Sequence, residues 1–149
     1  NGRGRFYLEQ IREATGADIF EIEPAAAYPT NYQAVVDQAK KEVNSGFKPA
    51  LKSKPENLGK YDIIFVGSPC WWYTIAPPVA TFLSSYDLSG KTIAPFMTHE
   101  GSRMGHSEAD IKKLCAGATL LPGLPVRGGS VQEAAPEVAK WLRRIGVIE

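Results

Sequence analysis

Apolar residues recur along this chain with two periods, one near 3.6 and one near 2. Tyr7, Leu8, Ile11 and Ala14 fall at helical spacing, and Gly16 follows as a stop. Residues 17–22 are a short run that reads as a strand. Thr30 with Gln33 three positions on forms a capping box, opening a helix whose apolar positions are Tyr32, Val35, Val36, Ala39 and Val43. Residues 46–59 are polar, broken by Pro49 and Pro55, and read as a surface loop. The uninterrupted run Ile63, Ile64, Phe65, Val66 is short and mostly β-branched, which is how a strand buried on both faces looks. A loop over 67–76 leads to Pro77 and Pro78, suited to the first turn of a helix with Val79, Phe82, Leu83 and Tyr86 inside.

Residues 92–98 read as the next strand, although Pro95 removes a ladder donor and counts against a central position. A loop over 99–105 precedes a helix from 107 to 115, with Ser107 as its cap. Residues 118–121 are a weaker strand, extended toward Val126. Ser130 with Glu133 forms a second capping box, opening a last helix with Val131, Ala135, Val138, Leu142 and Ile145 on one face and Gly146 at its end. This alternation of helix and strand predicts an α/β fold, a doubly wound parallel sheet with helices on both faces, as a single domain over 1–149. In such sheets ligands bind beyond the carboxyl ends of the strands, so the loops after Val66 and Thr98 are the ones to inspect.

Composition narrows the function classes. With 17 Lys and Arg against 16 Asp and Glu, the net charge of +1 gives no nucleic-acid footprint. Apolar stretches fall well short of the roughly 20 residues that span a bilayer. Two cysteines, Cys70 and Cys115, are no disulfide framework, so a reducing cytoplasmic setting is expected. The first loop then carries Pro69, Cys70, Trp71, Trp72 and Tyr73. Three consecutive aromatics after a buried strand either cover a flat cofactor or pack on a helix or a second subunit, and the two readings stand level on this loop alone. The second loop carries His99, Glu100, Gly101, Ser102 and Gly105, whose glycines let backbone N–H groups approach a ligand.

Three rival chemistries are weaker. Gly2, Gly4 and Glu23 approximate a dinucleotide fingerprint, but Tyr7 stands at the third glycine position. Ser107 between Gly105 and Ala109 imitates a nucleophile elbow, yet no histidine follows it. His99, His106, Cys70 and Cys115 have no recognised ligand spacing for a metal.

Residues 61–72, together with Pro77 and Pro78, Thr81 to Leu83, Tyr86 to Thr92, Pro95 and Phe96, and the glycines Gly101 and Gly105, resemble the short-chain flavodoxin-like proteins. Thr15 to Asp18 and Phe20 to Ile22 resemble that family's second strand. The resemblance implies a five-stranded sheet in the order 2-1-3-4-5, with FMN at the switch point. It implies that Pro69, Cys70, Trp71 and Trp72 line one side of the flavin ring, and Thr98, His99, Glu100, Gly101, Ser102 and Gly105 the other. A proline in the position of Pro95 is also a family feature. Tyr73 departs from the pattern, standing where the family often has a small residue. The near-zero charge departs from the acidic carrier flavodoxins.

The expected function is therefore FMN-dependent redox chemistry: electron transfer, or NAD(P)H-dependent reduction of a small molecule such as a quinone. Its partners would be the flavin and a redox partner or small-molecule acceptor, with no nucleic acid or membrane, and a homodimer stays open. A cofactor-free flavodoxin-like domain acting as a binding module is the alternative. One further expectation concerns the amino end. The family's first strand and its phosphate loop precede the first helix, and here the chain starts inside that region at Asn1 to Arg5, so the first strand and most of the phosphate loop are expected to be missing and the chain incomplete at its amino end. The strands at Ile19 and Ile64 should then be separated by a gap, bridged by another segment, or re-paired directly.

Overall fold

The computed structural model describes residues 2–55, 58–99, 103–127 and 134–148. The elements run α1 (Gly2–Thr15), α2 (Tyr32–Ser45), a 3-10 turn (Leu58–Lys60), β1 (Ile63–Trp71), β2 (Thr74–Ile75), α3 (Pro77–Ser84), β3 (Thr92–His99), α4 (Ser107–Leu114), β4 (Thr119–Leu120), β5 (Leu124–Arg127) and α5 (Ala134–Arg144). β1 and β3 pair in parallel over seven rungs, from Ile63 opposite Thr92 to Pro69 opposite Thr98. On its other side β3 pairs in parallel with β4 at Thr92 and Ile93, then with β5 from Phe96 to His99. Residues 93–99 are all buried, so β3 is the central strand.

Pro95 is accommodated in that central strand by the break between β4 and β5. The Ile93 carbonyl accepts from Leu121, so odd residues of β3 direct their backbone groups toward β4 and β5. Pro95 falls after the last rung with β4 and before the first rung with β5, where no donor is required.

Helices cover both faces. Ile64 and Val66 of β1 and Ile93 and Met97 of β3 pack with Val79, Phe82 and Leu83 of α3 and Ile111 of α4. On the opposite face Ala94 and Phe96 pack with Tyr7 and Ile11 of α1 and Val138, Trp141 and Leu142 of α5. Trp141, which sequence periodicity did not single out, is fully buried. Its indole N–H donates to the Pro122 carbonyl at 2.8 Å, and its ring meets the edge of Phe65.

Several local expectations are corrected. Residues 17–22 are extended but form no ladder among the described residues, because a cavity separates them from β1. The cap of α2 is Asn31 rather than Thr30: its side-chain oxygen accepts from the Ala34 N–H at 3.0 Å. Ser107 does not cap α4; its buried hydroxyl donates to the Met104 carbonyl at 2.5 Å, and His106 holds the cap position. The loop expected over 67–76 is mostly strand. β1 runs on to Trp71 and folds back as β2, with Cys70 opposite Ile75 and Trp71 opposite Thr74. Ser130, Glu133 and Val131 lie outside the described residues.

Candidate functional site

A cavity of about 820 Å³ runs along the edge of β1 that faces away from β3. Ile63 to Pro69 form one wall and residues 17–22 the other. Leu8 and Ile11 of α1 close it on one face of the sheet, and Val79 and Phe82 of α3 on the other. Trp71 and Thr98 stand at the carboxyl end of the strands. The size is that of an ordinary small-molecule pocket, and the lining is mostly apolar.

The orientation of the walls follows from two contacts. Asp18, just past α1, accepts from the hydroxyl of Tyr61, which precedes β1. Farther along, the Tyr28 ring meets Trp71 edge-on at 5.2 Å, at the other end of β1. Residues 17–22 therefore run in the same direction as β1, and α1 runs opposite to it. The Tyr7 ring meets Phe96 at 6.4 Å, so the amino half of α1 lies toward the carboxyl end of the strands. Unpaired N–H groups in the first turn of a helix favour an anion there.

The aromatic hairpin is built by backbone geometry. Trp72 and Tyr73 are the two central residues of a two-residue turn, both left-handed at φ 50° and 68°. This conformation favours glycine and explains why a small residue suits position 73. The turn is held from the side of α4: the His106 N–H donates to the Tyr73 carbonyl at 2.7 Å. Gly105, itself at φ 56°, lies so close that an added Cβ would sit 2.2 Å from that carbonyl oxygen. The Tyr73 ring stacks on His106 at 6.3 Å, and Thr74 donates to Asp110.

The two tryptophans have different surroundings. Trp71 is half-buried and lines the cavity. Trp72 lies on α2, where its indole N–H donates to the Val36 carbonyl at 3.1 Å and the Lys40 ammonium sits 5.2 Å above its ring. Packing on α2 thus accounts for Trp72, while Trp71 both packs against the core beside α3 and lines the cavity. Tyr28, which sequence reasoning passed over, positions Trp71 from beneath. Its hydroxyl donates to Glu42 at 2.6 Å, and Gln38 donates to the other oxygen of the same carboxylate. Burial, then the hydrogen bond and the charge of Glu42, push the Tyr28 phenol well above its ordinary range.

Of the residues expected to hold a ligand, the cavity brings together Pro69, Trp71 and Thr98, with Ser68 and Gly67 beside them. Ser68 is buried; its hydroxyl accepts from Ala76 and donates to the Pro69 carbonyl, tying the end of β1 to α3. Cys70 packs toward α3 and is not a wall of the cavity. His99 is buried at the end of β3, also away from the lining. Gly105 acts on the hairpin rather than on the cavity. Glu100, Gly101 and Ser102 lie outside the described residues. Phe96 and residues 17–22 were missed as wall residues; the only sequence signal for them was apolar character. No helix among the described residues is long and apolar enough to cross a membrane.

A mostly parallel sheet wound by helices on both faces, with an apolar cleft opening at the strand carboxyl ends, defines a doubly wound α/β domain. A protein-family model described as flavodoxin matches residues 2–145, and the chain belongs to that family. Among solved structures it is similar to a flavoprotein from Bacteroides eggerthii, at 30% identity and a TM-score of 0.84, covering 99% of this chain and 92% of the other. A flavoprotein from Bacteroides uniformis is 27% identical, with a TM-score of 0.80 and coverage of 93% and 92%. A Lactobacillus acidophilus flavoprotein in complex with FMN shares the fold at 22% identity and a TM-score of 0.71, covering 95% and 91%. A search of curated proteins returned no match.

Proposed function

We propose that this chain binds FMN at the carboxyl ends of β1 and β3 and serves as a redox protein, in electron transfer or in NAD(P)H-dependent reduction of a small molecule such as a quinone. The observation that carries this reading is the mouth of the cavity. Trp71 and Pro69 offer flat apolar surface and Thr98 offers a hydroxyl, all lining one cavity at the carboxyl ends of the strands. The donor set suits a planar heteroaromatic ring. The similar flavoprotein with bound FMN supports the choice of flavin. FMN, when bound, would supply one- or two-electron transfer; the protein's part is to bind, orient and shield it. Trp71 would cover the ring and, with Pro69, exclude water from it. Tyr28 and Glu42 would hold the Trp71 ring in place.

Titration with FMN, followed by flavin fluorescence, tests this. Quenching at micromolar FMN is expected, and its absence would favour the cofactor-free binding domain. Trp71→Ala should weaken binding by roughly 1–3 kcal/mol, the scale of stacking and burial. Trp72→Ala should lower the melting temperature with little change in FMN affinity, since its partners are on α2. Equal losses of affinity in both variants would count against this assignment. Turnover of NADH or NADPH with a quinone panel, faster than free FMN supports, would separate the reductase from the carrier.

A further inference from the structure

The two adjacent tryptophans stand in opposite electrostatic settings. The Lys40 ammonium lies 5.2 Å from the centre of the Trp72 ring, and a cation there disfavours positive charge on that ring. Trp71 instead meets the Tyr28 ring edge-on, with centroids 5.2 Å apart, and the Tyr28 hydroxyl donates to Glu42 at 2.6 Å. Gln38 donates to the other oxygen of Glu42 at 2.9 Å. Both partners of that side chain are donors, so it stands as an acceptor-only carboxylate. Glu42 is also buried, at 8% exposure. Holding the Tyr28 ring in place would need only a neutral acceptor such as an amide. A buried carboxylate is the costlier choice, and it adds one capability, that of taking a proton.

We infer that Trp71, Tyr28 and Glu42 form a proton-coupled electron relay, which passes an oxidising equivalent from the cavity wall to Tyr28. A one-electron oxidant at the cavity takes an electron from Trp71 and leaves an indole radical cation. Tyr28 then gives one electron to Trp71 across the ring contact, while its hydroxyl proton crosses the hydrogen bond to Glu42. Trp71 is restored, and the products are a neutral tyrosyl radical and a neutral Glu42 carboxyl group. The step cancels one positive and one negative charge, which a buried setting favours. Loss of the proton ahead of the electron is opposed, because burial, the hydrogen bond to Glu42 and its charge raise the phenol above its ordinary range. Electron and proton therefore leave together. Tyr28 is only half-buried, so a thiol or another small one-electron reductant in solvent returns the electron, and Glu42 returns the proton. The relay needs no bound flavin, and the inference stands independently of FMN binding.

The test oxidises the chain with azide radicals from pulse radiolysis, without FMN, in a Trp72→Phe background. Of the three tryptophans, Trp141 is fully buried and Trp72 is replaced, which leaves Trp71 within reach of the radical. Absorbance of the indole radical should decay at the rate at which that of the tyrosyl radical rises. Glu42→Gln keeps the hydrogen bond and the volume but takes no proton. It should slow this phase roughly a hundredfold, the low end of what a positioned base supplies. Tyr28→Phe should remove the phase, and heavy water should slow it in the parent. An unchanged rate in Glu42→Gln, or a tyrosyl radical formed as fast in Tyr28→Phe, would overturn the inference, since another tyrosine would then be the donor. Melting curves identify the folded variants. If neither variant folds, the solvent comparison decides: equal rates in light and heavy water overturn the relay, and slower transfer in heavy water supports it.

Discussion

At the scale of single residues, the hairpin shows how a backbone conformation constrains chemistry. A residue with a Cβ in the left-handed region costs about 1–2 kcal/mol, and Trp72 and Tyr73 both stand there. Tyr73 is 58% exposed, so burial offsets little of that cost. β-Branching makes the conformation worse. Tyr73→Val should therefore be less stable than Tyr73→Gly by about 1–2 kcal/mol, a difference of several degrees in melting temperature. Equal melting temperatures would show that the turn adopts another form. Tyr28 supplies a pH signature. Its phenol is raised above the ordinary value of 10.0, so the fold favours the neutral form. That stabilisation is complete below pH 10, where the unfolded phenol is also neutral. It is lost as pH rises above 10 toward the folded-state value. Melting curves from about pH 8 to 11 should fall more steeply in the parent than in Tyr28→Phe.

At the scale of elements, the two loops at the sheet's carboxyl edge act as one unit. The turn before α4 braces the β1–β2 hairpin through Gly105, His106 and the Tyr73 carbonyl. A backbone oxygen cannot move aside as a side-chain tip can. Gly105→Ala should therefore cost about 1–3 kcal/mol through steric displacement and left-handed strain. It should also release the hairpin, which tryptophan fluorescence from Trp71 and Trp72 would report. The loop spacing was legible in the sequence, because both loops follow runs that read as strands. The brace was not, because Tyr73 and Gly105 meet only when β1 and β3 lie side by side. Pro95 teaches the same lesson: as an isolated letter it argues against a central strand, and the break between β4 and β5 removes the conflict.

At the scale of the whole molecule, the sheet divides the apolar interior into two cores. Ile111 belongs to the α3–α4 face and Ile11 to the α1–α5 face. Each is buried, so Ile111→Val and Ile11→Val should each cost about 0.5–1.5 kcal/mol. With no shared partners, the double variant should lose the sum to within about 0.5 kcal/mol. A larger coupling in denaturant unfolding would show that the cores communicate through the cavity that both faces border.

The sequence by itself determined the alternation of helices and strands, the glycine stops after α1 and α5, the identity of β1 as a strand, and the family. These depend on local pattern: helical and strand periods, β-branched runs and cap residues are written in adjacent letters. Tertiary structure alone decided that residues 17–22 form no ladder among the described residues, that β1 continues through Pro69 to Trp71, and that Trp71 lines the cavity while Trp72 lies on α2. It also decided that Asn31 rather than Thr30 caps α2. Ladders, cavities and ring contacts are made between segments distant in the chain, and a strand exists only where another backbone edge comes within hydrogen-bonding reach.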